Sequence, residues 1–293
     1  MATISDSLPI ASSLSHTSWA AQLRALKVVI WKEWLHFVRY PSWVFAMLIW
    51  PLIFPAMYIF GARALAGPDG SGLELFKRLA GNMDCVGYIA VGTTVWMWQN
   101  TVLWGVGFAL RDEQMRGTLE ANWLSPTFRF SFLIGNSVSQ LGTMLLYMVI
   151  SFAQFGFIYG MRFNPNPLSI VLVLLAAIPS IYGIAFVFAS LVITAKEAHT
   201  FVFLVRGLVM IFCGITFPIS VMPVWMQSVA RWIPPTYVIQ GMRKAMLAGA
   251  SPARLLPELT PLLAFGLFWI LTGYLVFRWM DHRARKLGSI GTY

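Results

Sequence analysis

The sequence predicts an all-α integral membrane protein with six transmembrane helices, an N-terminal amphipathic interfacial helix and a short broken helical pair before the last span. Three observations carry this. Of 293 residues, 58% are hydrophobic and only 11% charged, and the mean hydropathy is +0.70, more apolar surface than a soluble globule of this size can hide. The apolar residues gather in six segments, 42–62, 85–110, 130–160, 168–194, 200–221 and 260–278, each near or above the ~20 residues a spanning helix needs. These runs are continuous and do not alternate with period two. That excludes a closed barrel, the other backbone arrangement that satisfies its own hydrogen bonds in lipid.

Residues 1–17 are polar, contain no Lys or Arg and lead into no short apolar segment with a cleavage site, so they read as a disordered cytosolic tail and not as a secretory signal. Residues 18–293 read as a single membrane domain. Within 18–40, Trp19, Leu23, Leu26, Ile30, Trp34 and Phe37 recur at spacings of three and four, a stripe suited to a helix lying in the membrane interface. The alternative is a cytosolic extension of the first span. Pro41 ends this helix and turns the chain inward.

The second span carries Trp96, Trp98, Gln99, Asn100 and Trp104, and the third carries Asn136, Ser139 and Gln140. Amides at that depth face neighbouring helices or a cavity. They suit helix packing, or a path for an amphipathic substrate formed by Trp96, Gln99, Asn100, Asn136 and Gln140. Arg206 lies inside the fifth span and is expected to snorkel to the interface near Lys196, Glu197 and His199. Residues 217–247 are apolar but interrupted by Pro218, Pro223, Pro234 and Pro235. This excludes one straight helix and suits short re-entrant helices over 222–247 on the external side, as a gate or as a structural hairpin. Cys85 and Cys213 offer no pairing framework and read as small apolar residues.

Between the second and third spans, segment 111–127 holds five charges in seventeen residues: Arg111, Asp112, Glu113, Arg116 and Glu120. In so apolar a chain this is a docking surface or a solvated loop. With an even number of spans both termini share a side, and that side collects a narrow majority of Lys and Arg, including the basic tail 278–286. The expected location is a bacterial-type plasma membrane with both termini cytoplasmic. The net charge of +10 is spread along loops without a nucleic-acid module, so it marks affinity for the lipid bilayer and no nucleic acid.

No Gly-x-x-x-x-Gly-Lys-Ser/Thr phosphate loop occurs, nor a His-Glu-x-x-His zinc motif, nor a Gly-x-Ser-x-Gly elbow, and the four histidines are far apart. The chain therefore lacks a recognisable ATP or hydrolase site. The spans also lack the several carboxylates expected of an ion-coupled carrier.

Glu113-Gln-Met-Arg-Gly-Thr-Leu-Glu120 followed by Leu124-Ser-Pro126 closely resembles the cytoplasmic motif after the second span of type-2 ABC exporter permeases. The resemblance extends over nearly the whole chain through the six-span layout, the broken pair and the run Pro-Thr-Tyr-x-x-x-Gly-Met-Arg at 235–243. Asn122-Trp123 stands where that family usually carries small or aliphatic residues. The resemblance implies a permease that works beside a second copy of itself and two cytosolic ABC ATPase subunits. ATP and Mg would sit on those subunits and no cofactor on this chain. Glu113, Arg116, Gly117, Thr118, Leu119 and Glu120 would couple to the ATPase, with Gly117 breaking the segment, Ser125-Pro126 ending it, and Leu119, Trp123 and Leu124 as apolar anchors. Cargo in that family includes lipid-linked glycans, lipo-oligosaccharides and drugs. The alternative function is a non-transporting scaffold, or a membrane enzyme with an unrecognised site.

Overall fold

A computed structural model describes residues 19–124, 128–192 and 198–287. The expected tail 1–17, the Ser125-Pro126 stop, Lys196 and Glu197 lie outside the described residues. The described chain is helical and forms no strand. Helix α1 (Trp19–Arg39) is followed at once by α2 (Pro41–Leu65), with Pro41 at its first position, where a missing amide hydrogen costs nothing. A short amphipathic helix that the sequence reading did not anticipate, α3 (Ser71–Leu79), fills the following connection. The chain then enters α4 (Cys85–Met115), capped by the Asp84 carboxylate, which accepts from the amides of Val86 and Gly87 at 3.1 and 3.3 Å. The remaining helices are α5 (Leu119–Leu124), α6 (Phe130–Tyr159), α7 (Pro167–Val192), α8 (Ala198–Phe212), α9 (Val224–Ala230), α10 (Pro234–Met246) and α11 (Leu256–Leu287).

Among the described residues, four stretches are long and apolar enough to cross a membrane: Phe45–Leu65, Phe130–Tyr159, Pro167–Val192 and Pro252–Ala284. The expected second and fifth spans depart from that pattern for different reasons. Helix α4 has ample length but carries polar groups, because it runs through the protein's interior and not along lipid. Val91, Val95, Val102 and Leu110 are completely enclosed, and the hydroxyls of Thr93 and Thr94 donate back to the carbonyls of Ile89 and Ala90, each at 2.8 Å. The segment expected as a span over 200–221 stops at Phe212. Gly214 there adopts a left-handed φ of +64°, and a side chain from α10 bonds the carbonyls of the two residues Gly214 and Ile215 just past the helix end.

That side chain is Arg243. Its Nε donates to Tyr88 O at 3.1 Å, Nη1 to Gly214 O at 2.8 Å and Nη2 to Ile215 O at 2.7 Å, while the guanidinium lies 3.3 Å from the centre of the Tyr88 ring. Gly92 makes the approach possible, since a Cβ there would collide with Ile215 O and Arg243 Nη2. Only 2% of Arg243 is exposed. It is an interior staple joining α4, α10 and the chain just past the end of α8.

The longest interface runs between α7 and α11. Gly183 sits against α11 so closely that a Cβ would stand 2.6 Å from the Trp269 carbonyl carbon, the small-residue contact that lets helices associate without a hydrophobic driving force. The loop before α7 is tied to α10, with the amides of Asn164 and Asn166 donating to Met246 O and Ala245 O at 3.0 and 2.9 Å. Cys85 and Cys213 are both buried and unpaired as disulfides.

Helix α1 rests on α6 by a stripe rotated from the one expected. Leu26, Val29, Ile30, Glu33 and Phe37 are half-buried, with Val29 fitted against Gly135, whereas Leu23, Trp31 and Trp34 are exposed. The side chain of Trp19 lies outside those described. Periodicity alone could not choose between the two apolar sides, because α1 has apolar residues almost all the way round.

A candidate coupling surface and the cavity behind it

The charged island 111–127 is not one independent helix. Its first residues complete the last turn of α4, the chain reverses through Arg116, Gly117 and Thr118, and α5 follows. Gly117 carries φ +71° at the reversal, a conformation that residues with a Cβ adopt at a cost. The turn is held from below by Glu113, only 5% exposed. Its Oε1 accepts from Lys32 Nζ at 2.7 Å, and its Oε2 from Thr118 Oγ1 at 2.6 Å and Asn122 Nδ2 at 2.8 Å. One carboxylate thus joins α1, α4, the turn and α5. Burial pushes the Glu113 carboxyl up, but the hydrogen bonds from Lys32 and Thr118 outweigh it and hold it below the usual carboxylate value. Burial lowers the Lys32 ammonium, and the bond to Glu113 more than reverses this.

A second clamp holds the other end. Trp123 Nε1 donates to Asp281 Oδ1 at 2.8 Å. Arg129 Nη1 reaches the two Asp281 oxygens at 3.1 and 3.0 Å, and its Nη2 donates to Trp123 O at 3.2 Å. Helix α5 is therefore fastened to the end of α11. Asp281→Ala is expected to speed amide hydrogen exchange over 119–124 about tenfold, equivalent to ~1.4 kcal/mol of local opening. Unchanged exchange there would mean that the Trp123 ring alone seats the helix.

These two clamps sort the sequence-selected residues. Glu113 and Leu119 are buried, and Leu119 and Trp123 belong to the main hydrophobic core. Arg116, Gly117, Thr118 and Glu120 are exposed, as is Leu124 at 86%. Of the three expected apolar anchors, only Leu124 faces outward. The residues that depart from the family's usual pair are the ones that make the clamps, Asn122 to Glu113 and Trp123 to Asp281. Sequence reasoning missed Asp281, although it is the lone acid within the basic run 278–286, which was a usable signal. It also gave Lys32 and Arg129 no role beyond orientation.

Behind this surface a cavity of ≈730 Å3 extends among α1, α2, α4, α6 and α8. Along α4 its lining runs from Trp96 to Arg116, roughly 30 Å of helix at 1.5 Å per residue. Trp96, Asn100, Asn136 and Gln140 line it, whereas Gln99 is buried away from it. Gln140 Nε2 donates to Thr101 O at 2.7 Å and so joins α6 to α4. Deep in the cavity Trp96 stacks on Phe54 at 4.7 Å, and Arg206 lies 4.7 Å from the Trp96 ring centre. Arg206 lines the cavity, where the sequence reading expected it at the interface.

A helical membrane bundle with an internal cavity and an exposed charged turn, and without a phosphate loop, has the construction of the membrane-embedded subunit of a transporter. The family model described as ABC-2 family transporter protein matches residues 80–275, and the chain belongs to that family. Its members are the permease subunits of ABC transporters and act with a separate ABC ATPase subunit. The chain is similar to the linearmycin resistance permease protein LnrN of Bacillus subtilis (strain 168), 26% identical over 160 residues, which is 51% of this chain and 41% of that protein. The match thus spans about two-fifths of the relative's length.

Proposed function

We propose that this permease exports an amphipathic substrate, such as a lipid-linked glycan, a lipo-oligosaccharide or a drug-like molecule, from the cytoplasm or inner leaflet. Two copies of the chain would act with two ATPase subunits. The observation that carries this reading is the position of the cavity: its lining at Asp112, Glu113 and Arg116 adjoins the exposed Arg116-to-Leu124 surface, so force applied to that surface acts on the cavity's mouth. Its upper wall is aromatic and amide-rich, suited to a molecule with apolar and polar parts. Six membrane crossings in a plasma membrane of bacterial type, both termini cytoplasmic, α1 in the interface and α9 with α10 on the external side make up the same reading. The exposed Leu23, Trp31 and Trp34 of α1 support its interfacial placement. The resistance function in the name of LnrN is consistent with outward transport.

On this reading Arg116, Gly117, Thr118, Glu120 and Leu124 contact the ATPase subunit, while Glu113 and Leu119 hold their geometry. Glu120→Lys reverses an exposed charge without disturbing a described bond. It is expected to leave thermal stability within about 0.5 kcal/mol of the parent and to lower transport-coupled ATP hydrolysis in liposomes at least tenfold. Full hydrolysis and transport by this variant, in the complex with its ATPase subunit, would remove Glu120 from the contact. Failure of the parent chain to bind or stimulate any ABC ATPase subunit would sink the transporter reading and favour a scaffold.

A further inference from the structure

Arg206 is a cation in an uncommon position. It lies eight residues into α8, roughly 12 Å from the helix start at 1.5 Å per residue. It is half-buried, it lines the cavity, and among the described residues no carboxylate lies within salt-bridge distance of it. The acidic groups of the same cavity, Glu33, Asp112 and Glu113, stand at its other end. Asp112 is about 24 Å from Trp96 along the α4 axis. The two carboxylates given ion pairs there, Glu33 and Glu113, share Lys32 at 3.2 and 2.7 Å. What holds Arg206 is the face of Trp96, itself backed by Phe54. That contact fixes the guanidinium in place but leaves its charge uncompensated. A cation at this depth needs an anion, a snorkelling route or water, and its side chain points into the cavity.

We infer that Arg206 is the charge-recognition group of the cavity, and that the cargo carries a phosphate or carboxylate on an apolar body. The inference rests on reading the cavity as the cargo path. The anion would meet the guanidinium's free edge inside the cavity, where planar paired donors suit both oxyanions. The aromatic stack of Phe54 and Trp96 would receive the adjoining apolar part. A phosphate of this kind could come from a bilayer lipid's headgroup and a carboxylate from a free amphiphile; the chemistry at Arg206 is the same.

The test uses the full chain in phosphatidylcholine nanodiscs with two radiolabelled probes of equal tail length, dodecyl phosphate and dodecyl maltoside, empty discs being subtracted. The parent is expected to prefer dodecyl phosphate by at least tenfold. Arg206→Gln should lose that preference while keeping dodecyl maltoside binding, and Arg206→Lys should restore part of it. Retained maltoside binding and an unchanged melting curve establish that Arg206→Gln is folded. Ala46→Trp places bulk in the cavity lining and separates the two readings. If it blocks neither probe, the cavity is not the path. If it blocks both while Arg206→Gln leaves their ratio unchanged, the path stands and the charge inference is overturned. Mass spectrometry of molecules co-purifying with the parent but not with Arg206→Gln identifies the source: an anionic phospholipid indicates the headgroup, and an acidic non-lipid amphiphile the free species.

Discussion

Arg243→Ala is expected to cause the largest loss of stability of any single substitution in the chain. The alanine leaves Tyr88 O, Gly214 O and Ile215 O without their donor, and it removes the group stacked on Tyr88. Hydrogen bonds from a charged donor contribute about 1.5–3 kcal/mol each, and buried acceptors left open cost further. A net loss on the order of 5–9 kcal/mol follows, a large share of the margin that holds most folded proteins together. The damage has a direction. It frees the chain after Phe212 from the last turn of α10, so the segment 213–218 should become open to proteolysis before the α7–α11 interface loosens. Arg243→Lys keeps the charge, but one ammonium cannot address three carbonyls in the guanidinium plane, and it should recover less than half of the loss. Melting of the purified protein in detergent, paired with limited proteolysis, reads both effects. A parent-like melting temperature for Arg243→Ala would mean that water replaces the staple and that the cap over α4 is held by apolar packing alone.

Glu113→Ala should produce the second largest effect, and on coupling more than on folding. It strands Thr118 and Asn122 and leaves Lys32 with its weaker 3.2 Å contact to Glu33. Two hydrogen bonds to a carboxylate correspond to roughly 3–6 kcal/mol, confined to the turn and α5. Cargo binding in the cavity should persist, while ATP hydrolysis and transport separate: hydrolysis continues near the parental rate and transport falls at least tenfold. Glu113→Gln keeps the shape and one acceptor, and should lie between. The pH dependence has a definite sign. Because the Glu113 carboxyl is held low, its contribution is complete above the ordinary Glu value of about 4.3 and disappears as pH falls through the lower, folded value. Because Lys32 is held high, its contribution is complete below about 10.4 and disappears as pH rises through the higher, folded value. The tie is thus intact from roughly pH 5 to 10. In that window the exchange rate of the Thr118 and Asn122 amides should be flat after correction for intrinsic chemistry, rising below it in acid and, as Lys32 deprotonates, above it in base. A midpoint near neutrality would assign control to another group.

Much of the fold was legible because the determining information is local. Continuous apolar runs set where α2, α6, α7 and α11 form, and Pro41 marked the junction of α1 with α2. Trp96, Asn100, Asn136 and Gln140 stand out in the sequence as aromatic and amide groups at membrane depth, not by spacing; that they line one cavity agrees with Asn136 and Gln140 being one turn apart, as are Trp96 and Asn100. The same reasoning could not place Gln99, because neighbouring positions on a helix point about 100° apart and a partner must say which side is interior. The early end of α8 was equally hidden. Residues 200–221 are apolar enough to continue, yet the helix ends at Phe212 before the left-handed Gly214, and Arg243, twenty-nine positions beyond Gly214, supplies donors to the carbonyls past that end.

The amino-acid sequence by itself determined that this protein is a helical membrane bundle, that these 293 residues carry no phosphate-loop motif, and that its charged turn lies between two long helices. Those properties depend on composition, on periodicity within a few residues and on a contiguous motif. Only the tertiary structure decided which charges work outside and which work inside. Glu113 and Glu120 are chemically alike and seven residues apart, yet one is enclosed by Lys32, Thr118 and Asn122 and the other is exposed. Trp123 finds Asp281 across 158 positions. Charge and hydrogen-bonding capacity are written in the residue, but the partner that consumes them comes from elsewhere in the chain, and burial then fixes whether the group holds the fold or faces another molecule.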